Sequence, residues 1–260
     1  YHAEVPLNII IEEENYELGI WGRADGIIIE ETVTIDEIKG VYLSLDLLEE
    51  PVKVHLAQAK CYAYIYGIQN DLQKINVQMT YGNLDTGDLK YFSYEYSMQQ
   101  LQEWFSDLIL KYKKWADFQY EWRKKRQASI KELAFPFPYR EGQKELAAGV
   151  YRTIARKKNL FIQAPTGVGK TISTLYPAIK AVGEGLGDKI FYLTAKTVTA
   201  NVAKETIGIL CEKGYRAKSV QITAKEKLCP CEEVDCNPVS CPYAKGHFDR
   251  VNDAVYDLLQ

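Results

Sequence analysis

Asp25, Glu37 and Lys39 have the types and spacing of a cation-assisted cutting site. They fall in the runs Gly22-Arg23-Ala24-Asp25-Gly26-Ile27 and Thr34-Ile35-Asp36-Glu37-Ile38-Lys39. In a strand, residues two apart share a face, so Glu37 and Lys39 point together and Asp36 points away. Asp25 and Glu37 could then hold a divalent cation that polarises a phosphodiester and lowers the pKa of a water, with Lys39 orienting that water or stabilising charge. Hard oxygen ligands favour Mg2+ or Mn2+ over zinc. By itself the acid…acid-x-Lys pattern fits a surface ion pair equally well. Downstream, Gln58 and Tyr62 stand four apart, on one face of a helix.

A second chemistry belongs to Ala164-Pro165-Thr166-Gly167-Val168-Gly169-Lys170-Thr171. A glycine-containing loop between a strand and a helix N-terminus turns backbone amides onto phosphate oxygens, and the helix dipole helps to hold them. Lys170 would reach the β and γ phosphates of ATP, and the Thr171 hydroxyl would ligand Mg2+. The first position is Ala164 rather than the glycine of the strict pattern.

The third group is Cys229, Cys231, Cys236 and Cys241, spaced C-x-C-x4-C-x4-C in a proline-containing stretch. Four thiolates so close can surround one metal centre, and the spacing admits either tetrahedral Zn2+ or a 4Fe-4S cluster. Nothing marks the chain as secreted, so a metal site is favoured over a disulfide framework. Cys61 and Cys211 read as buried thiols.

Resemblances sharpen these readings. Gln163 to Thr171, preceded by Tyr139-Arg140-Glu141-Gly142-Gln143, resembles the motor domain of superfamily 2 helicases, specifically the XPD/DinG-type iron-sulfur DNA helicases. The resemblance implies that Arg140 and Gln143 read the adenine. It also likens Phe191-Tyr192-Leu193-Thr194-Ala195-Lys196-Thr197 to a motif whose loop touches the DNA backbone; a strand end capping a helix is the other reading of those threonines. Lys227-Leu228-Cys229 and Cys241-Pro242-Tyr243 resemble that family's first and last cluster-ligand motifs, which implies iron-sulfur over zinc. Gly22 to Tyr66 resembles the RecB-like branch of PD-(D/E)xK nucleases, in which the Gln and Tyr matching Gln58 and Tyr62 lie beside metal and DNA. That branch usually adds a metal-binding His upstream of the Asp, where this chain has only His2. His55 reads as an exposed helix histidine.

The elements that must position these groups follow from periodicity. Asn8–Ile11, Glu17–Trp21, Gly26–Glu30 and Thr32–Ile38 read as strands, Val52–Gln69 as a helix behind Pro51, and Ile75–Tyr81 with Leu89–Tyr96 as a hairpin. From Ser97 to about Leu133 a long helical pattern ends in Trp122-Arg123-Lys124-Lys125-Arg126, and its interleaved Trp115, Tyr120 and Trp122 could stack on bases or fill a core. Phe135-Pro136-Phe137-Pro138 breaks it. Beyond lie a helix (Glu141–Ala155), a strand (Asn159–Gln163), the phosphate loop, a helix (Thr171–Gly183) and a strand (Lys189–Leu193), an alternation that signals a parallel α/β sheet.

The expected fold is therefore α/β. A nuclease-like α/β domain spans 1–134, part of a P-loop RecA-like helicase lobe 135–223, and a cysteine-rich cluster region 224–260. The chain opens on Tyr1, and no Asp-Glu-x-His-like strand end follows Thr171, so the expectation is a fragment that binds ATP weakly and does not unwind DNA alone. No apolar run approaches the roughly 20 residues of a membrane span, and the location expected is cytoplasmic. The net charge of -3 leaves room for local basic stripes. The implied function is an ATP-dependent helicase with a nuclease-like domain, acting on single-stranded or forked DNA in repair or replication. The alternative is a nucleotide-switched DNA-binding module with a degenerate nuclease fold and a zinc site.

Overall fold

The computed structural model describes residues 1–165 and 167–260. The chain is mixed α/β, and it divides into two compact units, Tyr1–Asp117 and Phe118–Gln260.

The first unit is built on a five-stranded sheet in sequential order: β1 (His2–Glu12), β2 (Glu17–Ile28), β3 (Thr34–Val41), β4 (Lys74–Asn83) and β5 (Leu89–Ser97). Every neighbouring pair is antiparallel except β3 and β4. A parallel pair cannot be closed by a tight turn, and helix α1 (Lys53–Gln69) makes the crossover. Two runs read separately in the sequence, Glu17–Trp21 and Gly26–Glu30, are one strand. The polar stretch between them stays extended because β1 pairs along it, with Leu7 opposite Gly22 and Val5 opposite Ala24.

Small residues on α1, Ala59 and Ala63, are fully buried and let the helix lie close to the sheet, over Ile35, Val77 and Met79. Leu101 and Phe105 from the start of α2 (Met98–Lys131) extend this core, and the Phe105 ring stacks on Tyr64 at 4.3 Å between centroids. Core burial of this kind is the main stabilising contribution, on the order of 1.5–3 kcal/mol for each fully buried large apolar side chain.

The second unit contains the end of α2, then α3 (Gln143–Ala155), α4 (Lys170–Gly183), α5 (Thr197–Glu212), the short α6 (Lys225–Leu228) and α7 (His247–Leu259). Its core gathers Ile130 and Leu133 with Ile172, Ile179, Val182, Leu210 and Tyr215. Lys180 Nζ donates to the Ile130 carbonyl at 2.9 Å, and the Tyr176 hydroxyl donates to the Leu133 carbonyl at 3.2 Å. The boundary between the units thus falls within α2, whose last turns belong to the second core.

The two strands expected in this unit, Asn159–Gln163 and Lys189–Leu193, are absent among the described residues. A strand exists only when its backbone groups pair with a neighbouring chain. Neither segment has such a neighbour among the described residues, and Phe161 and Leu193 stand 95% and 88% exposed. The parallel sheet expected around the phosphate loop is therefore not among the described elements.

Candidate functional site

Asp25, Glu37, Lys39, Gln58 and Tyr62 come together where β2, β3 and α1 meet. The register that sets Gly26 opposite Asp36 brings Asp25 across from Glu37. The strand pairing stops there, and the Asp25 carboxylate accepts the Ile38 backbone N–H at 2.8 Å. Glu37 is fully buried beneath α1. Lys39 Nζ donates to its Oε1 at 2.6 Å and to Gln58 Oε1 at 3.4 Å, and Gln58 Nε2 donates to the Tyr62 hydroxyl at 3.1 Å. Gly22 completes the arrangement by what it lacks. A Cβ there would lie 2.5 Å from the Tyr62 ring.

Burial pushes the Glu37 carboxyl above the usual range; the Lys39 ammonium opposes this, and the charges of Asp25 and Asp36 add to it. Glu37 Oε2 is buried and has no hydrogen-bond partner. A buried carboxylate oxygen without a partner is costly, and a proton or a cation would relieve it. Asp36 points the other way and is satisfied there, accepting from the Thr80 hydroxyl at 2.6 Å and from Gln78 Nε2 at 3.2 Å.

His55 corrects a sequence reading. It is half-buried, and its Nδ1 lies 3.1 Å from the hydroxyl of Tyr81, a fully buried residue that also accepts the Val52 N–H at 3.0 Å. Its placement three residues before Gln58 was the one signal in the sequence; Tyr81 lies on a strand 26 residues further on. Cys61 is partly buried, with its thiol pushed up to about 11 by burial. Cys211, expected to be buried, is exposed near the end of α5.

At the phosphate loop, Gly167 and Gly169 adopt left-handed φ of 85° and 76°, conformations that a side chain would strain. Arg140 donates to the Gly167 carbonyl, and Gln143, itself buried, donates to the Val168 carbonyl at 3.2 Å. Both residues assigned to adenine thus touch the loop itself. Lys170 Nζ donates to the carbonyls of Ala164 at 3.0 Å and Pro165 at 2.7 Å, while Thr171 lies in the first turn of α4. Thr166, included in the expected nucleotide site, lies outside the described residues.

In the cysteine region burial raises the titration of the Cys231 thiol, and the neighbouring Cys229 and Cys241 add to the shift. Cys236 acts instead on the Lys225 ammonium, whose pKa it raises. Among the described residues no group of three or more His, Cys, Asp or Glu side chains is arranged to hold a metal ion. The aromatics of α2 have cations of this chain against them. Lys114 Nζ lies 5.8 Å from the Trp115 ring, Lys124 5.0 Å from Tyr120, and Lys218 4.6 Å from Trp122.

No family model matches the chain. Over 51 residues, 19% of this chain, it is 51% identical to a probable ATP-dependent helicase of Methanocaldococcus jannaschii, and that stretch is 8% of the helicase's length. The match relates part of the chain to a helicase. The solved structure of SSO0001 aligns with a TM-score of 0.29 at 21% identity over 42% of this chain and 49% of that one, too slight a likeness to carry an argument. Among the described residues no helix is long and apolar enough to cross a membrane.

Proposed function

We propose that this chain belongs to an ATP-driven helicase that carries a cation-dependent DNA-cutting site in its first unit. The observation that supports the cutting site best is the fully buried Glu37, one oxygen paired with Lys39 and the other without a partner, beside Asp25. Asp25 and Glu37 would hold Mg2+ or Mn2+, which when bound supplies a Lewis acid for the phosphodiester and an acidified water. Lys39, held against Glu37, offers its remaining protons to a phosphate oxygen. Gln58 orients both Lys39 and Tyr62, and the Tyr62 hydroxyl, accepting from Gln58, keeps its own proton for the DNA backbone.

The motor half of the proposal is supported by the helicase match and by the loop from Ala164 to Thr171 at the start of α4. ATP is its nucleotide, with Lys170 at the phosphates and Thr171 at Mg2+. DNA, single-stranded or forked, is the partner, and repair or replication the setting. The four thiols have the donor chemistry of a 4Fe-4S cluster, with Zn2+ the alternative, and bound iron with broad visible absorbance would separate the two.

End-labelled single-stranded DNA incubated with the chain and Mn2+ tests the cutting site. Cleavage is expected from the native chain and not from Glu37→Ala or Lys39→Ala; cleavage that survives both substitutions would show that the assignment is wrong.

A further inference from the structure

Glu37, Lys39, Gln58 and Tyr62 leave one neighbour without a role. The parallel register of β3 and β4 sets Lys39 beside Tyr81, so the two side chains rise from the same face of the sheet, under α1. From that face Tyr81 reaches the first turn of α1 and holds it twice, through the Val52 N–H and through His55 Nδ1. His55 shares its helix face with Gln58, one turn further on, and Gln58 touches Lys39.

The hydrogen-bond inventory then orients the ring. The Tyr81 oxygen accepts from Val52 and keeps its phenol proton as a donor for His55 Nδ1, and in that arrangement the imidazole carries its own proton on Nε2; the reverse arrangement would place the proton on Nδ1. Nδ1 faces a fully buried phenol, and Nε2 lies on the opposite edge of the ring of this half-buried residue. A neutral ring is what this pairing requires, and burial together with the nearby Lys39 charge holds the His55 pKa below its ordinary value.

We propose that His55 is a phosphate-binding residue of this site, its Nε2–H donated to the DNA backbone beside the scissile bond and its tautomer set by Tyr81. The inference rests on the cutting-site reading above and adds to it the residue that grips the substrate next to Lys39 and Gln58. A neutral donor suits this position, because a second full charge beside Lys39 would be repelled by it.

The test uses the full chain with His55→Gln, whose amide can replace the Nε2 donor, His55→Asn, which reaches only the Nδ1 position, and Tyr81→Phe, which removes a single oxygen. Cleavage of single-stranded DNA in Mn2+ and binding of the same labelled oligonucleotide in Ca2+ are compared. Loss of about 10- to 100-fold is expected for His55→Asn, the range for a hydrogen bond to a charged group. Partial recovery is expected in His55→Gln and an intermediate loss in Tyr81→Phe. Nitrogen-15 NMR of the imidazole is expected to show the Nε2–H form in the native chain and a mixed tautomer in Tyr81→Phe.

An Nδ1–H tautomer in the native chain overturns the proposal, as does equal binding and cutting by His55→Asn and the native chain. If His55→Asn cuts normally while Glu37→Ala is inactive, the cutting site stands and the role of His55 falls. If Glu37→Ala also cuts normally, the cutting site falls, and oligonucleotide affinity unchanged in His55→Asn would dispose of the phosphate contact as well.

Discussion

The carboxylate site and the phosphate loop differ in what holds them. Asp25, Glu37 and Lys39 stand on paired strands, with α1 packed above, and their hydrogen bonds link β3 to β2 and to α1. Among the described residues no paired strand lies beside the loop that ends at Thr171, and Lys170, Arg140 and Gln143 are bonded to the loop's own carbonyls. The first arrangement is held in place by the sheet and α1. On the proposed reading the second must exchange its internal bonds for phosphate, which lowers affinity by the cost of releasing them.

The largest effects that can break this comparison lie at the buried carboxylate. Replacing Lys39 with Ala is expected to slow DNA cutting by about 100- to 1000-fold, as for loss of one preorganised donor, measured in single-turnover cleavage at saturating Mn2+. Gly22→Ala comes next. Its new Cβ collides with the Tyr62 ring, so a loss of about 1–3 kcal/mol is expected in urea unfolding of the first unit, as for overpacking. Lys170→Ala should abolish ATP binding in an equilibrium assay yet leave unfolding within about 0.5 kcal/mol, since the side chain is exposed. Equal destabilisation by Gly22→Ala and Lys170→Ala would erase the contrast.

The smallest effect is a pH dependence. Folding raises the Glu37 carboxyl, so its protonated form favours the fold, and that contribution is withdrawn as pH rises through its raised value. Metal-free native protein is therefore expected to lose stability relative to Glu37→Gln across that window. Saturating Mg2+ should remove the difference, because a cation bound only to the folded state stabilises it, by roughly 2.7 kcal/mol at 100 times its dissociation constant. Denaturation curves at several pH values, with and without Mg2+, would show this.

The sequence made parts of this legible and concealed others for physical reasons. Strand periodicity is two, so the shared face of Glu37 and Lys39, and the opposite face for Asp36, could be read from spacing, as could the helix bearing Gln58 and Tyr62. Periodicity states which residues share a face but not what lies across from it. The contact between His55 and Tyr81 is of that second kind, and so is the clearance between Gly22 and Tyr62. The segments around Phe161 and Leu193 illustrate a different limit. Their residues favour strands, but local preference supplies no partner, and an unpaired run of apolar residues stays exposed.

The most direct measurement is Mn2+ binding to the native chain and to Glu37→Gln, followed by electron paramagnetic resonance of the free ion. One site is predicted in the native chain and lost, or weakened at least about 10-fold, when the buried carboxylate is made neutral. Equal Mn2+ binding by the two proteins would contradict a cation site at Asp25 and Glu37.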